Sequence, residues 1–167
     1  STVTCYNDTG SGLIVPATGV HVNTRLGEED LDPHGFHRNI KGRRMPSMMS
    51  PTVVLRGGEL EVGLGSGGSN RIRSAILQTI VRLVDDGLDI SAAVIAPRVH
   101  FEAGSVQSEP GIDEAALARL ERRGYEVFRW PDRNVFFGGV HAVSRDPLSG
   151  RLRGAGDPRR GGAVAVV

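Results

Sequence analysis

The stretch of sequence best suited to chemistry is a run of small residues that separates an alternating segment from an apolar, helix-like one. The run extends from Gly65 to Asn70 and reads GSGGSN, so it carries almost no side-chain surface. A glycine turn between a strand and a helix brings backbone N–H groups and the positive end of a helix dipole into one small space. Such a space stabilises a bound anion or the oxyanion that forms during acyl transfer. A purely structural turn fits the same pattern.

Two familiar phosphate-binding loops are excluded by the residues around this turn. No Gly-Lys-Ser/Thr sequence closes it, so it is not a Walker-type loop. Its glycines are crowded rather than spaced, and the acidic pair Asp85-Asp86 lies within the predicted helix instead of after a following strand. The match to a dinucleotide-binding fingerprint is therefore poor.

The elements on either side of the turn follow from hydrophobic periodicity. Residues 59–64 alternate, which predicts a strand that enters a core. Residues 72–84 place apolar side chains at helical spacing, which predicts a helix with one apolar face. Ser69 or Asn70 is the predicted N-cap, and Gly87 is the predicted C′ residue.

The rest of the chain alternates between short strands, turns and short helices. Ser50 to Leu64 is predicted to form a hairpin, and the order of sheet, helices and sheet predicts that helices cover a mostly antiparallel sheet system in layers. The remaining predicted strands span residues 1–6, 99–101, 105–109, 125–130, 138–145, 151–154 and 163–167, and the remaining helices span 90–96 and the segment from the cap Asp113 to Gly124.

Bulk composition limits the classes of function. The chain has 167 residues, 39% of them hydrophobic, which fits one domain with a real core. A net charge of +1 does not favour nucleic acid as a partner, and no apolar run approaches the length of a membrane span. A single cysteine, Cys5, excludes an internal disulfide and a zinc site built from cysteines.

Two polar clusters have structural as well as functional interpretations. His34 and His37 follow Asp30 and Asp32, but the spacing supplies no clear third ligand, so a polar loop is favoured over a metal site. The segment Asp157-Pro158-Arg159 is predicted to form an ion pair that holds the C-terminal loop. No Gly-x-Ser-x-Gly elbow is present, and no specific Ser-His-Asp triad can be assembled.

The order of several motifs resembles one enzyme family along essentially the whole chain. The most specific are Ser-Met-x-x-Pro-Thr, Ala-Pro-Arg-x-His and Asp-Pro-Arg, and the glycine turn falls between the first two. In this order they resemble the small subunit of the γ-glutamyltranspeptidases, nearest to a divergent bacterial branch close to the cephalosporin acylases. The matching segments are residues 4–7, 10–12, 16–23, 44–52, 65–72, 96–100 and 156–159.

This resemblance implies an α+β fold, the four-layer αββα sandwich of the N-terminal-nucleophile hydrolases. A precursor cuts itself, and the new N-terminal threonine attacks the γ-glutamyl amide of a small molecule such as glutathione. The α-amino group of that threonine is the implied base. The acyl group then passes to water, an amino acid or a peptide, with no metal and no cofactor. The implied partner is the large subunit of the same precursor, which forms a heterodimer with the small one and contributes an arginine to the substrate carboxylate site.

The resemblance also implies catalytic roles for Gly68, Ser69 and Thr4 and a substrate-binding role for Asn7. The backbone N–H groups of Gly68 and Ser69 fall on the oxyanion hole, in agreement with the charge-stabilising interpretation of the turn. Thr4 falls on a threonine that hydrogen-bonds the nucleophile. Asn7 falls on a nearby asparagine if the alignment slips by one residue.

Four further positions fall on the substrate-binding pocket of the family. Ser47 matches a serine that holds the substrate α-carboxylate, and Glu28 matches the carboxylate that receives the α-ammonium. Met48 replaces a second serine, and Arg25 takes a place that is normally neutral or acidic in the ammonium subsite. One lost hydroxyl and one added guanidinium change the recognition of a free glutamyl head group.

The start of the chain departs most from the family. The family's nucleophilic threonine would lie one strand and a turn upstream of Ser1, so residues 1–167 are expected to be a single small-subunit domain that lacks the nucleophile. Two alternatives stay open: a cephalosporin or glutaryl acylase with the same fold, and a non-catalytic domain that binds an anion.

Overall fold

The computed structural model describes residues 10–27, 31, 34–38, 40–44 and 46–165. The predicted first strand, and with it Thr4 and Asn7, lies outside the described residues, as does Glu28. The chain divides into two compact units, residues 1–48 and residues 49–167.

The first unit contains a tight reversal of the chain. Ile14 bridges His21 in antiparallel fashion, and the N–H of Val15 donates to the carbonyl of Val20 at 2.9 Å. The turn between them falls where the sequence places Pro16 to Gly19. A 3-10 turn follows at Arg25–Gly27.

The second unit contains two sheets and three α-helices. In chain order its elements are β1 Thr52–Arg56, β2 Glu59–Gly67, α1 Arg71–Val84, α2 Ile90–Ile95, β3 Val99–Glu102, β4 Ser105–Ser108, α3 Glu114–Arg122, β5 Glu126–Arg129, β6 Gly139–Arg145 and β7 Leu152–Gly156. Two 3-10 turns, Val135–Phe137 and Pro158–Arg160, flank the strands β6 and β7. The predicted hairpin, both long strands at the C-terminal side and all three helices are confirmed to within a few residues.

The larger sheet is entirely antiparallel, and the smaller one is mixed. The larger sheet has the strand order β1-β2-β6-β7, and the smaller has the order β3-β4-β5. Strands β3 and β4 form an antiparallel hairpin, whereas β4 and β5 run parallel. The parallel pair arises because α3 carries the chain back to the same end of the sheet before β5 begins.

The core lies between the larger sheet and the helices α1 and α2. On the sheet side it is formed by alternate residues of three strands, which is the pattern of a half-buried sheet. The buried apolar residues of these strands and helices are Val62, Leu64, Val140, Ala142, Ala155, Ile72, Ala75, Ile76, Ile90, Ala93 and Val94.

The opposite face of the larger sheet is sparsely covered. Val53, Gly63 and Val143 lie in one row across β1, β2 and β6, and the two valines are 62% and 52% exposed. Leu55 and Leu152 lie on the same face and are also exposed. This face therefore presents apolar side chains and bare glycine backbone to its surroundings.

The predicted strand at residues 163–167 is wrong for its described part. Residues 163–165 are not in a strand. They lie across the face of β7 instead, where a Cβ on Gly154 would fall 2.8 Å from the side chain of Val164, and a Cβ on Gly156 would meet the backbone of Gly162 and Ala163. The alternating apolar residues of this segment therefore pack against the glycines of β7 and do not pair with a sheet edge.

The ends of α1 differ slightly from the prediction. Asn70 is the N-cap residue, but its side chain makes no capping hydrogen bond. Asp85 is the C-cap, so Asp86 occupies the C′ position, and the predicted C′ residue Gly87, with a φ of 66°, lies one residue further along. In the described part of the chain, no helix combines the length and the apolar character needed to cross a bilayer.

Candidate functional site

The turn between β2 and α1 has a backbone that only glycine adopts readily. Gly68 has a φ of 122° and Ser69 a φ of 52°. A Cβ on Gly68 would lie 2.7 Å from the Cα of Gly138, which is closer than any real contact of that kind. Both the backbone angle and the lack of space therefore require glycine at residue 68.

Within this turn, the amide of Gly68 is unused by the fold. Among the described residues its N–H donates no hydrogen bond, whereas its carbonyl accepts from the N–H of Arg71 at 3.0 Å. The carbonyl of Ser69 accepts from the N–H of Ile72 at 3.1 Å. The turn thus combines an available backbone donor with the N-terminus of a helix of 14 residues, an arrangement that suits negative charge.

The hydroxyl of Ser66 fixes the strand end that carries the turn. Its Oγ donates to the carbonyl of Gly67 at 2.8 Å and accepts from the N–H of Gly139 at 3.2 Å. A Cβ on Gly138 would lie 3.0 Å from both the carbonyl oxygen of Gly67 and the Oγ of Ser66. The backbones of the two neighbouring segments therefore approach as closely as glycine permits.

The first residues of α1 are tied to strand β3 by a carboxylate. Glu102 accepts from the Nη1 of Arg71 at 3.4 Å and from the Nδ2 of Asn70 at 3.5 Å. The Nε of Arg71 donates to the carbonyl of Phe136 at 3.1 Å, and its guanidinium lies 4.6 Å from the centre of the Phe136 ring. A cation at a helix N-terminus opposes the helix dipole, so the nearby carboxylate compensates for Arg71.

His100, the last residue of the Ala-Pro-Arg-x-His motif, joins the same group. Its Nδ1 is 2.7 Å from the Oγ of Ser74 on α1, and its buried Nε2 has no hydrogen-bond partner among the described residues. Burial lowers the pKa of His100 below its ordinary value and outweighs the opposing charge of Glu102, whose Oε2 is 3.9 Å from the Nε2. The geometry therefore favours a neutral imidazole that holds α1 against β3.

Two arginines and two acids form a buried ion cluster beneath the C-terminal 3-10 turn. Arg98 donates to Asp157 at 2.7 Å, and Arg159 donates to Glu109 at 2.7 Å and to Asp157 at 3.2 Å. All four residues are buried. Burial alone would raise the pKa of Asp157, but the guanidinium of Arg98 and the backbone N–H groups of Arg159 and Val140 hold that pKa below its usual range. The ion pair predicted within Asp157-Pro158-Arg159 is confirmed as part of this larger cluster.

The first unit holds three of the predicted substrate-binding residues. Arg25 is buried, and its Nη2 donates to the carbonyl of Leu31 at 3.4 Å. Ser47 is exposed and Met48 is partly buried. The structure thus brings Gly68 and Ser69 together in one turn of the second unit, and the shared pocket expected for the other residues stays a prediction. Within the described residues, no group of three metal-ligating side chains could hold a metal ion.

Comparison with known proteins identifies the chain. The family model described as Gamma-glutamyltranspeptidase matches residues 1–167. The chain belongs to the gamma-glutamyltranspeptidase family. It is 31% identical over 159 residues to a glutathione hydrolase proenzyme of Bacillus subtilis (strain 168), covering 95% of this chain and 27% of the relative. It is 33% identical over 158 residues to the Acylase ACY 1 proenzyme of Pseudomonas sp. (strain SE83), covering 95% of this chain and 28% of the relative.

A solved structure of the gamma-glutamyltranspeptidase family confirms the predicted fold class. The gamma-glutamyltranspeptidase from Pseudomonas nitroreducens, complexed with L-DON, superposes with a TM-score of 0.80 at 27% identity and covers 100% of this chain and 92% of that one. The fold is thus the α+β fold of the N-terminal-nucleophile hydrolases. The chain spans only about a quarter of the proenzymes that it matches, yet nearly the whole of the solved chain.

Sequence reasoning missed several residues that shape the turn. Gly138, Glu102 and Arg160 all contact its residues or the start of α1. The adjacent glycines 138 and 139 could have indicated this contact, because glycines at the start of a strand often mark a place where another backbone segment approaches closely. No local pattern indicated that a glutamate in β3 or an arginine near residue 160 would reach the turn.

Proposed function

We propose that this chain is the small-subunit portion of an enzyme that transfers or hydrolyses γ-glutamyl groups from amides such as glutathione. The observation that carries the proposal is the turn at Gly68, whose available N–H stands beside the N-terminus of α1. Membership of the gamma-glutamyltranspeptidase family supports it. The nucleophile of the proposed reaction is an N-terminal threonine that is not in this chain.

The proposed reaction proceeds through an acyl-enzyme. The threonine Oγ forms a bond to the amide carbonyl carbon, its proton passes to the threonine α-amino group, and the carbonyl oxygen becomes negative. The N–H groups of Gly68 and Ser69 stabilise that oxygen. The carbon–nitrogen bond then breaks, and the leaving amine takes the proton from the α-ammonium. Water or an acceptor amine repeats the sequence on the ester and frees the threonine.

The proposed substrate pocket uses residues of the first unit. Ser47 binds the α-carboxylate of the γ-glutamyl group and Glu28 binds its α-ammonium. Met48 and Arg25 alter this pocket, because one supplies no hydroxyl and the other adds a cation. These two differences from the family affect which acyl group the pocket accepts more than they affect the acyl-transfer chemistry.

Two further residues are proposed to act near the nucleophile. Thr4 hydrogen-bonds the threonine hydroxyl, and Asn7 lies beside it. Both proposals rest on the motif match alone.

We also propose that the remaining part of the precursor forms a large subunit that pairs with this chain. The relatives are named as proenzymes, and this chain covers about a quarter of their length. The exposed valine row of the larger sheet supports a partner of this kind, because an apolar sheet face is normally covered.

The test is a pair of assays on the protein expressed from its complete reading frame. We expect self-cleavage into two chains and release of p-nitroaniline from γ-glutamyl-p-nitroanilide. Activity on glutaryl-p-nitroanilide alone would replace the γ-glutamyl assignment with the acylase one. Failure to cleave either amide would overturn the proposed function.

The acylase alternative is supported by a specific difference in the pocket. The glutaryl group lacks the α-ammonium, and Arg25 in the ammonium subsite disfavours a cation. The similarity to the Acylase ACY 1 proenzyme agrees with this alternative. Replacing Met48 with serine separates the two candidates, since it should raise activity toward the γ-glutamyl amide and leave activity toward the glutaryl amide within about threefold.

The non-catalytic alternative makes a different prediction about the gene. It requires that no nucleophile segment precede Ser1 in the reading frame. Finding a Thr-Thr-His-like segment upstream would exclude it.

A further inference from the structure

Arg160 is held at a fixed place by the buried ion cluster. It ends the 3-10 turn Pro158–Arg160, whose N-cap Asp157 accepts from the N–H of Arg159 at 2.9 Å. The N–H of Arg160 donates to the carbonyl of Asp157 at 3.2 Å. Because Asp157 and Arg159 are both buried in the cluster, the backbone of Arg160 cannot move without disturbing it.

The side chain of Arg160 lies flat over two paired glycines. Gly67 and Gly139 are opposite each other on β2 and β6. A Cβ on Gly139 would lie 2.5 to 3.0 Å from the Cδ, Cγ and Cβ of Arg160, and a Cβ on Gly67 would lie 3.4 to 3.6 Å from its Nε, Cδ and Cζ. Neither glycine has a positive φ, so the backbone itself would accept alanine at both positions. The missing side chains therefore provide the space that Arg160 occupies.

The guanidinium of Arg160 ends at the turn. Its Nη2 lies 3.8 Å from the position of a Cβ on Gly68 and donates to the carbonyl of Val135 at 3.4 Å. The Cα of Gly138 lies 2.7 Å from the same position. The backbone of Gly138 and a positive charge are thus both next to Gly68.

We propose that Arg160 is a positioning residue for acyl transfer, which holds the turn at Gly68 and places a fixed positive charge beside the oxygen that becomes negative. The inference rests on the proposed function of the turn as an oxyanion hole. Arginine stays charged throughout such a reaction and transfers no proton, so its contribution is electrostatic. A charge held in place before the reaction needs no reorganisation when the oxyanion forms, which lowers the barrier without tightening substrate binding.

The structure provides two independent ways to remove this charge from the turn. Arg160→Gln removes the charge and keeps much of the stem. Gly139→Ala leaves Arg160 unchanged but fills the space under its Cδ, which displaces the side chain. Arg160→Lys keeps a charge, and Arg151→Gln is the matched control, since Arg151 is an exposed arginine outside the turn.

The experiment measures kcat and KM for γ-glutamyl-p-nitroanilide, or for the glutaryl amide if that is the substrate, per mole of self-cleaved enzyme. We expect Arg160→Gln and Gly139→Ala each to lower kcat at least tenfold with KM changed less than threefold. Arg160→Lys should retain at least a third of kcat, and Arg151→Gln should match the parent. The double variant Arg160→Gln/Gly139→Ala should be no slower than the slower single variant, because both changes remove the same interaction.

Three results would overturn the inference. They are a kcat within threefold of the parent for Arg160→Gln, a loss confined to KM, or a lysine variant as slow as the glutamine variant. If Arg160→Gln does not fold, as judged by its melting temperature, Gly139→Ala decides the question alone. A parent enzyme that cleaves neither amide would instead overturn the proposed function, so the two failures are distinct.

Discussion

Gly68 carries the largest constraint of any single residue in the turn. With a φ of 122° and Gly138 only 2.7 Å from its missing Cβ, it tolerates no side chain. We predict that Gly68→Ala lowers kcat for the amide substrate at least 100-fold, because the turn must shift and its N–H moves away from the oxyanion. Steady-state kinetics on self-cleaved enzyme measures this effect. Gly124→Ala, at another glycine with a positive φ but open space around its missing Cβ, serves as the control. A Gly68→Ala enzyme within threefold of the parent would contradict the prediction.

His100 makes the stability of the protein depend on pH. Burial lowers its pKa in the folded state, so below the ordinary pKa of about 6.5 the unfolded chain binds more protons than the folded one. Stability from this residue is therefore complete above that pH and is lost as the pH falls toward the folded pKa. We predict that His100→Asn reduces the slope of melting temperature against pH between about pH 6.5 and 5. A slope for His100→Asn equal to that of the parent protein would refute the assignment.

For single residues, the sequence predicted where the glycine turn lies but not which side chains reach it. Gly68 and Ser69 stood out because a local run of small residues between two periodic segments is visible in any window of the chain. Arg160 and Glu102 did not, since each reaches the turn from a separate part of the chain. A long side chain can cross several residues of a sheet, and only the folded structure shows in which direction it extends.

The ion cluster links three elements, and its members cannot be removed singly without cost. Arg98 follows α2, Glu109 follows β4, and Asp157 follows β7. We predict that Arg98→Met destabilises the protein by about 3–5 kcal/mol, because Asp157 and Glu109 would keep buried charge with less compensation. Chemical denaturation of the full-length protein measures this change in the free energy of unfolding. The exposed Arg151 offers the comparison, as Arg151→Met should change stability by less than about 0.5 kcal/mol.

Element boundaries were predictable where periodicity is strong. The helix α1 and the hairpin β1-β2 follow directly from repeats of 3.6 and 2 residues. The segment 163–165 was misassigned, because alternating apolar residues fit both an edge strand and a chain that packs across glycines. The parallel pairing of β4 with β5 also depends on how α3 returns the chain, which is a long-range property that no local window contains.

In the second unit, one face of the larger sheet is not covered by any helix of the described residues. Val53 and Val143 lie in one row of this face and are more than half exposed. We predict that Val53→Lys/Val143→Lys weakens association with the proposed large subunit at least tenfold, because charge would be placed against an apolar surface. Size-exclusion chromatography of the self-cleaved protein measures it. Leu148→Lys, at a turn residue that is 98% exposed, is the matched control and should elute with both chains together. If the two chains of the double lysine variant still elute together, the large subunit does not bind this sheet face.

The buried ion cluster also affects when the chain can fold during its synthesis on a ribosome. Its first arginine is residue 98, but its last two members are Asp157 and Arg159. A nascent chain that has not yet emerged as far as Arg159 would have to bury Arg98 and Glu109 without their counterions, which costs several kcal/mol. We therefore expect the second unit to reach its final packing only after Arg159 has emerged from the ribosome.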